Sequence, residues 1–283
     1  MILDGKELSK KIKLEIKDEV EKLVNQTNIV PGLAIILVGC NQASEIYVRN
    51  KLKAAALCKI NAKLFREEET ITEEKLIQLV KKLNKDEEYH GIIVQLPLPK
   101  HINEQKIIDT IDVSKDVDGF GILNKGRLFS GIQAMESATP HGIIRLLDTY
   151  HIPIEGSHAV VVGRSNIVGK PMSILLLNRN ATVTVCHSKT KNLKEITKAA
   201  DILIVAIGKA KYITADMVKK GAVVVDVGTN RIEGMLCGDV DFENVEKIAS
   251  YISPVPGGVG PLTIASLLEN TVKAYRNIYH CLL

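Results

Sequence analysis

Tyr47 and Lys51 stand four residues apart in a segment of helical spacing, so one helix face would carry an aromatic plate beside an ammonium. That pairing can stack on a flat ring and move a proton, although surface helices also carry such pairs without any chemistry. Gln95 lies in Val-Gln-Leu-Pro-Leu-Pro, residues 94–99, at the carboxyl end of an apolar run, the edge at which open α/β sheets bind ligands. Asp118, in Lys-Asp-Val-Asp-Gly-Phe at residues 115–120, adds a carboxylate on a loop.

A second set of residues has the makings of an anion cradle. Residues 159–171 read Ala-Val-Val-Val-Gly-Arg-Ser-Asn-Ile-Val-Gly-Lys-Pro, a glycine turn directly after a buried strand and before a helical segment. Strand, tight turn and helix N-terminus together suit a pyrophosphate. Ser165 stands where the usual pattern has its second glycine, so the turn alone is ambiguous. The end of the next strand is more informative. An NAD site wants an Asp or Glu there for the ribose hydroxyls, whereas this strand ends in Cys-His-Ser-Lys-Thr-Lys, residues 186–191. With two lysines, Ser188, Thr190 and Arg164 at the turn, the rim suits a 2′-phosphate and favours NADP over NAD; the alternative is a pair of solvated loop lysines.

Pro-Gly-Gly-Val-Gly-Pro at residues 256–261 is too rich in glycine for a helix or strand interior and too constrained by proline for a floppy linker. It reads as a shaped loop where backbone approaches a ligand closely, or as a tight structural turn.

The elements that must hold these groups follow from periodicity. An Asp4–Glu7 pair resembling a capping box precedes Leu8, Ile12, Ile16, Val20 and Leu23 at helical spacing, so the chain opens with an amphipathic helix. Apolar runs at residues 33–38, 62–65 and 91–95 are expected strands. Helices are expected between them, from Ser44 as a cap to Leu57 and over residues 72–83. Thr139-Pro140 reads as a helix start, the Thr capping and the Pro first in the helix, with the domain change just before it. Beyond it, runs at residues 159–162, 182–185, 202–206 and 222–227 make a second parallel unit. A closing helix over residues 263–279 puts Ile264, Leu267, Leu268, Val272 and Tyr275 on one face. The expected class is α/β, with two parallel-sheet domains at residues 1–138 and 139–261, the second Rossmann-like.

Composition narrows the partners. In 283 residues, 37 basic and 33 acidic side chains interleave to a net +4, which reads as solvated helix faces and not as a nucleic-acid stripe. No apolar run approaches the roughly 18 residues of a membrane span, and Asp4 and Glu7 occupy positions a secretory signal would fill otherwise, so a cytoplasmic protein is expected. Cys40, Cys58, Cys186, Cys237 and Cys281 are far apart and lack a Cys-x-x-Cys pair. They read as reduced core thiols, with no metal site.

Taken together, Tyr-Val-Arg-Asn-Lys at residues 47–51, the motifs at 94–99, 115–120 and 163–171, and Pro-Val-Pro-Gly-Gly-Val-Gly-Pro-Leu-Thr at 254–263 closely resemble the bifunctional methylenetetrahydrofolate dehydrogenase/cyclohydrolase family. The match is collinear over nearly the whole chain. The resemblance implies two domains flanking a cleft, a last helix (residues 262–283) returning to the N-terminal domain, a homodimer formed through the cofactor domains, and no metal. It implies that Lys51 is the catalytic lysine, Tyr47 orients the folate, Gln95 supports the lysine and Asp118 grips the pterin. The implied folate contacts also include Val94, Leu96, Pro256, Gly257, Gly258, Pro261 and Thr263, and the implied NADP contacts Gly163, Arg164, Ser165, Ile167, Ser188, Thr190, Gly208 and Thr229.

These roles have physical reasons. Oxidising the methylene bridge leaves a cationic amidinium, and adding water to it requires a base; a lysine serves when a neighbouring cation and partial burial make its neutral form accessible. The pterin offers adjacent nitrogen donors to a carboxylate, and the aminobenzoate ring can stack on tyrosine. The chain departs from the family pattern at Ala56, Leu57 and Lys59, at Gly121-Ile122 where His-Pro is common, at Ala138 where Cys is frequent, and at Thr229 where Ile is usual. Two other readings compete: an NADP-dependent dehydrogenase of shikimate or amino-acid type, and a non-catalytic protein that binds folate and dinucleotide.

Overall fold

The computed structural model describes residues 1–279, which form two compact units. One comprises Lys10–Ala138 and the chain from Ile264; the other comprises Met1–Ser9 and Thr139–Thr263. The first nine residues, expected with the unit that follows them, thus belong to the other one. Cys281 and the last four residues of the expected closing helix lie outside the described residues.

The unit built on Lys10–Ala138 carries most of α1 (Gly5–Thr27), then β1 (Gly32–Val38), α2 (Gln42–Leu57), β2 (Asn61–Glu67), α3 (Glu73–Lys85), β3 (Gly91–Val94), α4 (Glu104–Thr110) and α5 (Ile122–Phe129). Its sheet has the order β2-β1-β3, all parallel. β1 lies in the middle and is buried at every position, which is why its sequence is continuously apolar instead of alternating. Along α1, Ile12, Ile16, Val20 and Leu23 are buried, each contributing about 1.5–3 kcal/mol relative to exposure.

Helix starts differ in detail from expectation. The Glu7 amide donates to Asp4 Oδ1 at 2.9 Å, but the Asp4 amide donates to the Tyr150 hydroxyl at 2.9 Å, so the reciprocal half of a capping box is not made on the backbone of Asp4. α2 starts two residues before Ser44. Its cap is Asn41, whose Oδ1 accepts from the Ser44 amide at 3.1 Å.

The second unit holds most of α6 (Ala138–Thr149), then β4 (His158–Val162), α7 (Gly169–Asn178), β5 (Thr182–Cys186), α8 (Leu193–Lys198), β6 (Ile202–Val205), β7 (Val223–Asp226), β8 (Asn230–Ile232), β9 (Met235–Cys237), α9 (Phe242–Val245), β10 (Tyr251–Ile252) and the first turn of α10 (Val259–Tyr279). The main sheet is parallel in the order β10-β7-β6-β4-β5, and Ile2 adds a parallel bridge to Ile252. β8 and β9 form a separate antiparallel hairpin. Thr139 is not a cap: α6 begins at Ala138, and the Thr139 hydroxyl meets the Thr263 hydroxyl at 2.9 Å. Among the described residues no helix is long and apolar enough to cross a membrane. Of the cysteines, Cys58 and Cys186 are core thiols, whereas Cys40 is exposed and Cys237 half-buried, so the uniform core reading fails for those two.

Candidate active site

In the first sheet, strand order reverses at β1: β2 lies on one side and β3 on the other. Ligands of open α/β sheets bind outside the carboxyl ends of strands at such a point. Lys51 is carried there by α2, the helix that follows β1, and Gln95 is the first residue beyond β3. The Gln95 amide is tied to the Ile36 carbonyl of β1 at 2.9 Å, so the residue continues the ladder although the strand has ended.

Lys51 is 9% exposed. Its Nζ donates to Gln95 Oε1 at 3.1 Å, and Gln95 Nε2 donates to the Leu96 carbonyl at 2.8 Å. Tyr47, one turn earlier on the same helix face, is 44% exposed and free to offer its ring. Val94 is buried and Leu96 half-buried beside Gln95.

Asp118 is held by a neighbour the sequence did not single out. The Asp116 carboxylate is buried and accepts from the Phe120 amide at 3.2 Å, the Gly121 amide at 2.8 Å and the Asn124 side chain at 2.9 Å. Asp116 also bridges to Ile92 of β3, so the segment bearing Asp118 runs beside the strand that ends at Gln95. Burial pushes the Asp118 carboxyl above the ordinary carboxylate range; the Lys51 ammonium pulls the other way, and Asp116 adds to the rise. Lys51, Gln95 and Asp118 are therefore one group, with Tyr47 on the same helix as the lysine. The charged group that faces Lys51 here is this carboxylate. At the Gly121-Ile122 departure, the Ile122 amide donates to Asp109 Oδ1 at 2.9 Å, a bond that proline could not make.

The other sheet has its reversal between β4 and β6, and there a cavity of about 360 Å³ opens, lined by Gly163, Arg164, Ser188, Thr190, Ala206 and Lys209 among others. Gly163 has φ +125°, and a Cβ on it would lie 2.2 Å from the Ala206 carbonyl oxygen, so only glycine fits this turn. Gly169 is equally confined, its Cβ position 2.2 Å from the Gly163 oxygen. Ser165 does what a second glycine could not: its hydroxyl accepts from the Val168 and Gly169 amides at 3.1 and 3.3 Å, organising the start of α7. Thr190 Oγ1 accepts from the His187 amide at 2.8 Å and closes the turn that carries Ser188. Strand end, glycine turn and an exposed Arg164 fit a dinucleotide.

Ser165, Ile167, Gly208 and Thr229 do not line this cavity. Pro256, Gly257, Gly258, Pro261 and Thr263 belong to the dinucleotide unit. Val259 to Pro261 form the first turn of α10, so the loop is shorter than expected and the helix begins four residues earlier. Gly258 is confined within the chain: a Cβ on it would lie 2.6 Å from the Pro254 carbonyl oxygen, its own oxygen leaves only 1.9 Å for a Cβ on Gly5, and the Lys6 amide donates to Gly257 at 2.8 Å. Among the described residues no group of three or more His, Cys, Asp or Glu is placed to hold a metal ion.

Fold and site thus define a two-unit α/β enzyme with a dinucleotide cradle in one unit and a lysine–amide–carboxylate group in the other. Residues 3–118 match the catalytic domain of tetrahydrofolate dehydrogenase/cyclohydrolase, and residues 137–279 match its NAD(P)-binding domain. The bifunctional protein FolD of Streptococcus agalactiae is 56% identical over 274 residues, 96% of each chain. The crystal structure of the bifunctional FolD methylenetetrahydrofolate dehydrogenase/cyclohydrolase from Campylobacter jejuni has a TM-score of 0.96 at 51% identity, covering 98% of this chain and 99% of that one. The dehydrogenase-cyclohydrolase of Trypanosoma brucei, complexed with NADP and an inhibitor, has a TM-score of 0.95 at 36% identity and covers 99% of both chains. The chain belongs to the tetrahydrofolate dehydrogenase/cyclohydrolase family. It is a bifunctional enzyme of folate one-carbon metabolism with an NAD(P)-binding domain, which sets aside the shikimate-type and non-catalytic readings.

Proposed function

We propose that the enzyme oxidises 5,10-methylenetetrahydrofolate to 5,10-methenyltetrahydrofolate with NADP and hydrolyses the product to 10-formyltetrahydrofolate, with Lys51 as the proton carrier for hydrolysis. The observation that carries this reading is the Lys51–Gln95 hydrogen bond at 3.1 Å, made beside the Asp118 carboxylate. Asp118 holds the pterin nitrogens, and the exposed ring of Tyr47 stacks on the aminobenzoate. Bound NADP supplies the hydride acceptor. Gln95 keeps the Lys51 nitrogen aimed, because its own amide is fixed on Leu96. In hydrolysis Lys51 takes the proton of the water that adds to the cationic amidinium.

NADP is the favoured cofactor because Arg164 and Lys209 line the cavity with Ser188 and Thr190. The folate chemistry is assigned to the unit of Lys10–Ala138 with α10, and dinucleotide binding to that of Thr139–Thr263. A homodimer in the cytoplasm completes the reading. Its support is the hairpin of the dinucleotide unit, where Ile232, Met235 and Leu236 are exposed and apolar. The test is absorbance: methenyl-tetrahydrofolate should appear with NADP and then decay, and a failure to appear would refute the assignment. Sedimentation would report the dimer.

A further inference from the structure

Two buried carboxylates in the dinucleotide unit have no part in the reading above. Asp239 is fully buried, and its carboxylate accepts four hydrogen bonds. The Ile207 and Gly208 amides donate to Oδ2 at 2.7 and 2.9 Å, and the Lys209 amide and the Asn230 side chain donate to Oδ1, both at 2.8 Å. Successive backbone amides converging on one anion commonly hold a phosphate. Here the chain's own carboxylate fills the nest, so these amides shape the loop and are not ligand donors.

Asp226, at the end of β7, fixes Asp239 in turn. It accepts from the Gly228, Asp239 and Val240 amides, each at 2.9 Å. The fit is close: a Cβ on Gly238 would lie 1.8 Å from Asp226 Oδ2, and one on Gly228 2.3 Å from Asp239 Cγ. The loop so held, residues 206–209, contributes Ala206, Ile207 and Lys209 to the cavity wall, and Ala206 abuts Gly163 at the end of the neighbouring strand β4.

We propose that Asp239 is a positioning residue for the dinucleotide, fixing the loop after β6 in the shape that admits the cofactor. The proposal rests on the reading that the dinucleotide occupies this cavity. Asp239 belongs to a different unit from Lys51, Gln95 and Asp118, so the enzyme's two activities separate this role from a general folding role.

Asp239→Asn turns an amide donor toward donors and should break one or two of the four bonds. The KM for NADP should rise by about tenfold or more with kcat at saturation within about threefold, while hydrolysis of methenyl-tetrahydrofolate without dinucleotide stays within about twofold of wild type. An equal fall of both activities, or an unchanged KM, overturns the proposal. If Asp239→Asn does not fold, Asn230→Ala removes a single bond to the carboxylate and should raise the KM by about threefold, and an unchanged KM there overturns it as well. Arg164→Ala tests the underlying reading on its own. If it too leaves the KM for NADP unchanged, the cavity is not the dinucleotide site; if it alone raises the KM, only the positioning role fails.

Discussion

Lys51 Nζ donates to Oε1 of Gln95 at 3.1 Å, and Gln95 can present only that oxygen because its Nε2 is held by the Leu96 carbonyl at 2.8 Å. The amide is thereby a one-way acceptor for the lysine, supplied by the strand end next to the helix that carries it.

Replacing Lys51 with Met keeps the stem and removes the nitrogen. Hydrolysis of methenyl-tetrahydrofolate should fall by about two to four orders of magnitude, the range for loss of a general base. Thermal melting should be unchanged, since a nearly buried cation is replaced by an apolar side chain of similar length. Near-normal hydrolysis by a folded variant would remove Lys51 from the chemistry.

Asp118→Asn should weaken both activities together, because it replaces an acceptor-only carboxylate with an amide that turns a donor toward the pterin. A charge-assisted pair is worth about 1.5–3 kcal/mol, so kcat/KM should drop roughly tenfold to a few hundredfold for each activity. Burial already raises this carboxyl. The acid limb of both pH profiles should therefore lie above the ordinary aspartate range in wild type and vanish in the variant. Unaltered folate affinity would reassign Asp118 to a loop contact.

Cofactor choice should follow Arg164. In wild type NADP is expected to be preferred over NAD. Arg164→Ala should lower kcat/KM for NADP by roughly tenfold to a hundredfold while leaving NAD nearly unchanged, since only the phosphate loses a cation. Steady-state kinetics with both dinucleotides decides it, and an equal loss for the two would count against 2′-phosphate recognition.

His90 offers a test of stability against pH. It is buried with Nδ1 accepting from the Gly32 amide at 2.8 Å, an arrangement that needs the neutral ring. Burial, assisted by Lys115, lowers its pKa to about 4 from 6.5. Between those values the unfolded chain binds more protons, so the contribution is complete above pH 6.5 and is lost as pH falls toward 4. Asp226, raised to about 6 by burial, acts in the opposite sense over part of that range. The informative quantity is therefore the difference between wild type and His90→Gln. The stability advantage of wild type should shrink on acidification from pH 7 to 4.5, and a difference independent of pH would contradict the assignment.

Much of this arrangement was legible in the chain itself. Continuous apolar runs located β1, β3, β4, β6 and β7 because strands buried on both faces leave no polar alternation to confuse with a helix. The family resemblance and strand-end logic single out Lys51, Gln95 and Asp118 as candidates, and the structure places Lys51 and Gln95 in hydrogen-bond contact. What escaped depended on contacts across the sequence. β10 is two residues long and exists because β7 pairs with it. Asp116 and Asp239 look like ordinary loop acids until the amides that converge on them are known. The cap at Thr139 failed for a related reason: its hydroxyl faces another 124 residues away, and no local pattern records that.

The ends of the chain are exchanged between the two units. Residues 1–9 close the edge of the dinucleotide unit, with the Leu3 amide donating to Ile252 at 2.8 Å and the Ile252 amide to Met1 at 3.0 Å. α10 closes the other, where Asn270 donates to the Val117 and Glu136 carbonyls, both at 2.8 Å, and Tyr275 lies fully buried. Neither unit is a continuous stretch of gene. A ribosome that has released residue 138 has made most of one core and all of neither, and the unit of Lys10–Ala138 remains open until the final helix emerges. Fragments divided at that boundary should each expose apolar surface, and joining the halves by coexpression should restore solubility that neither has alone.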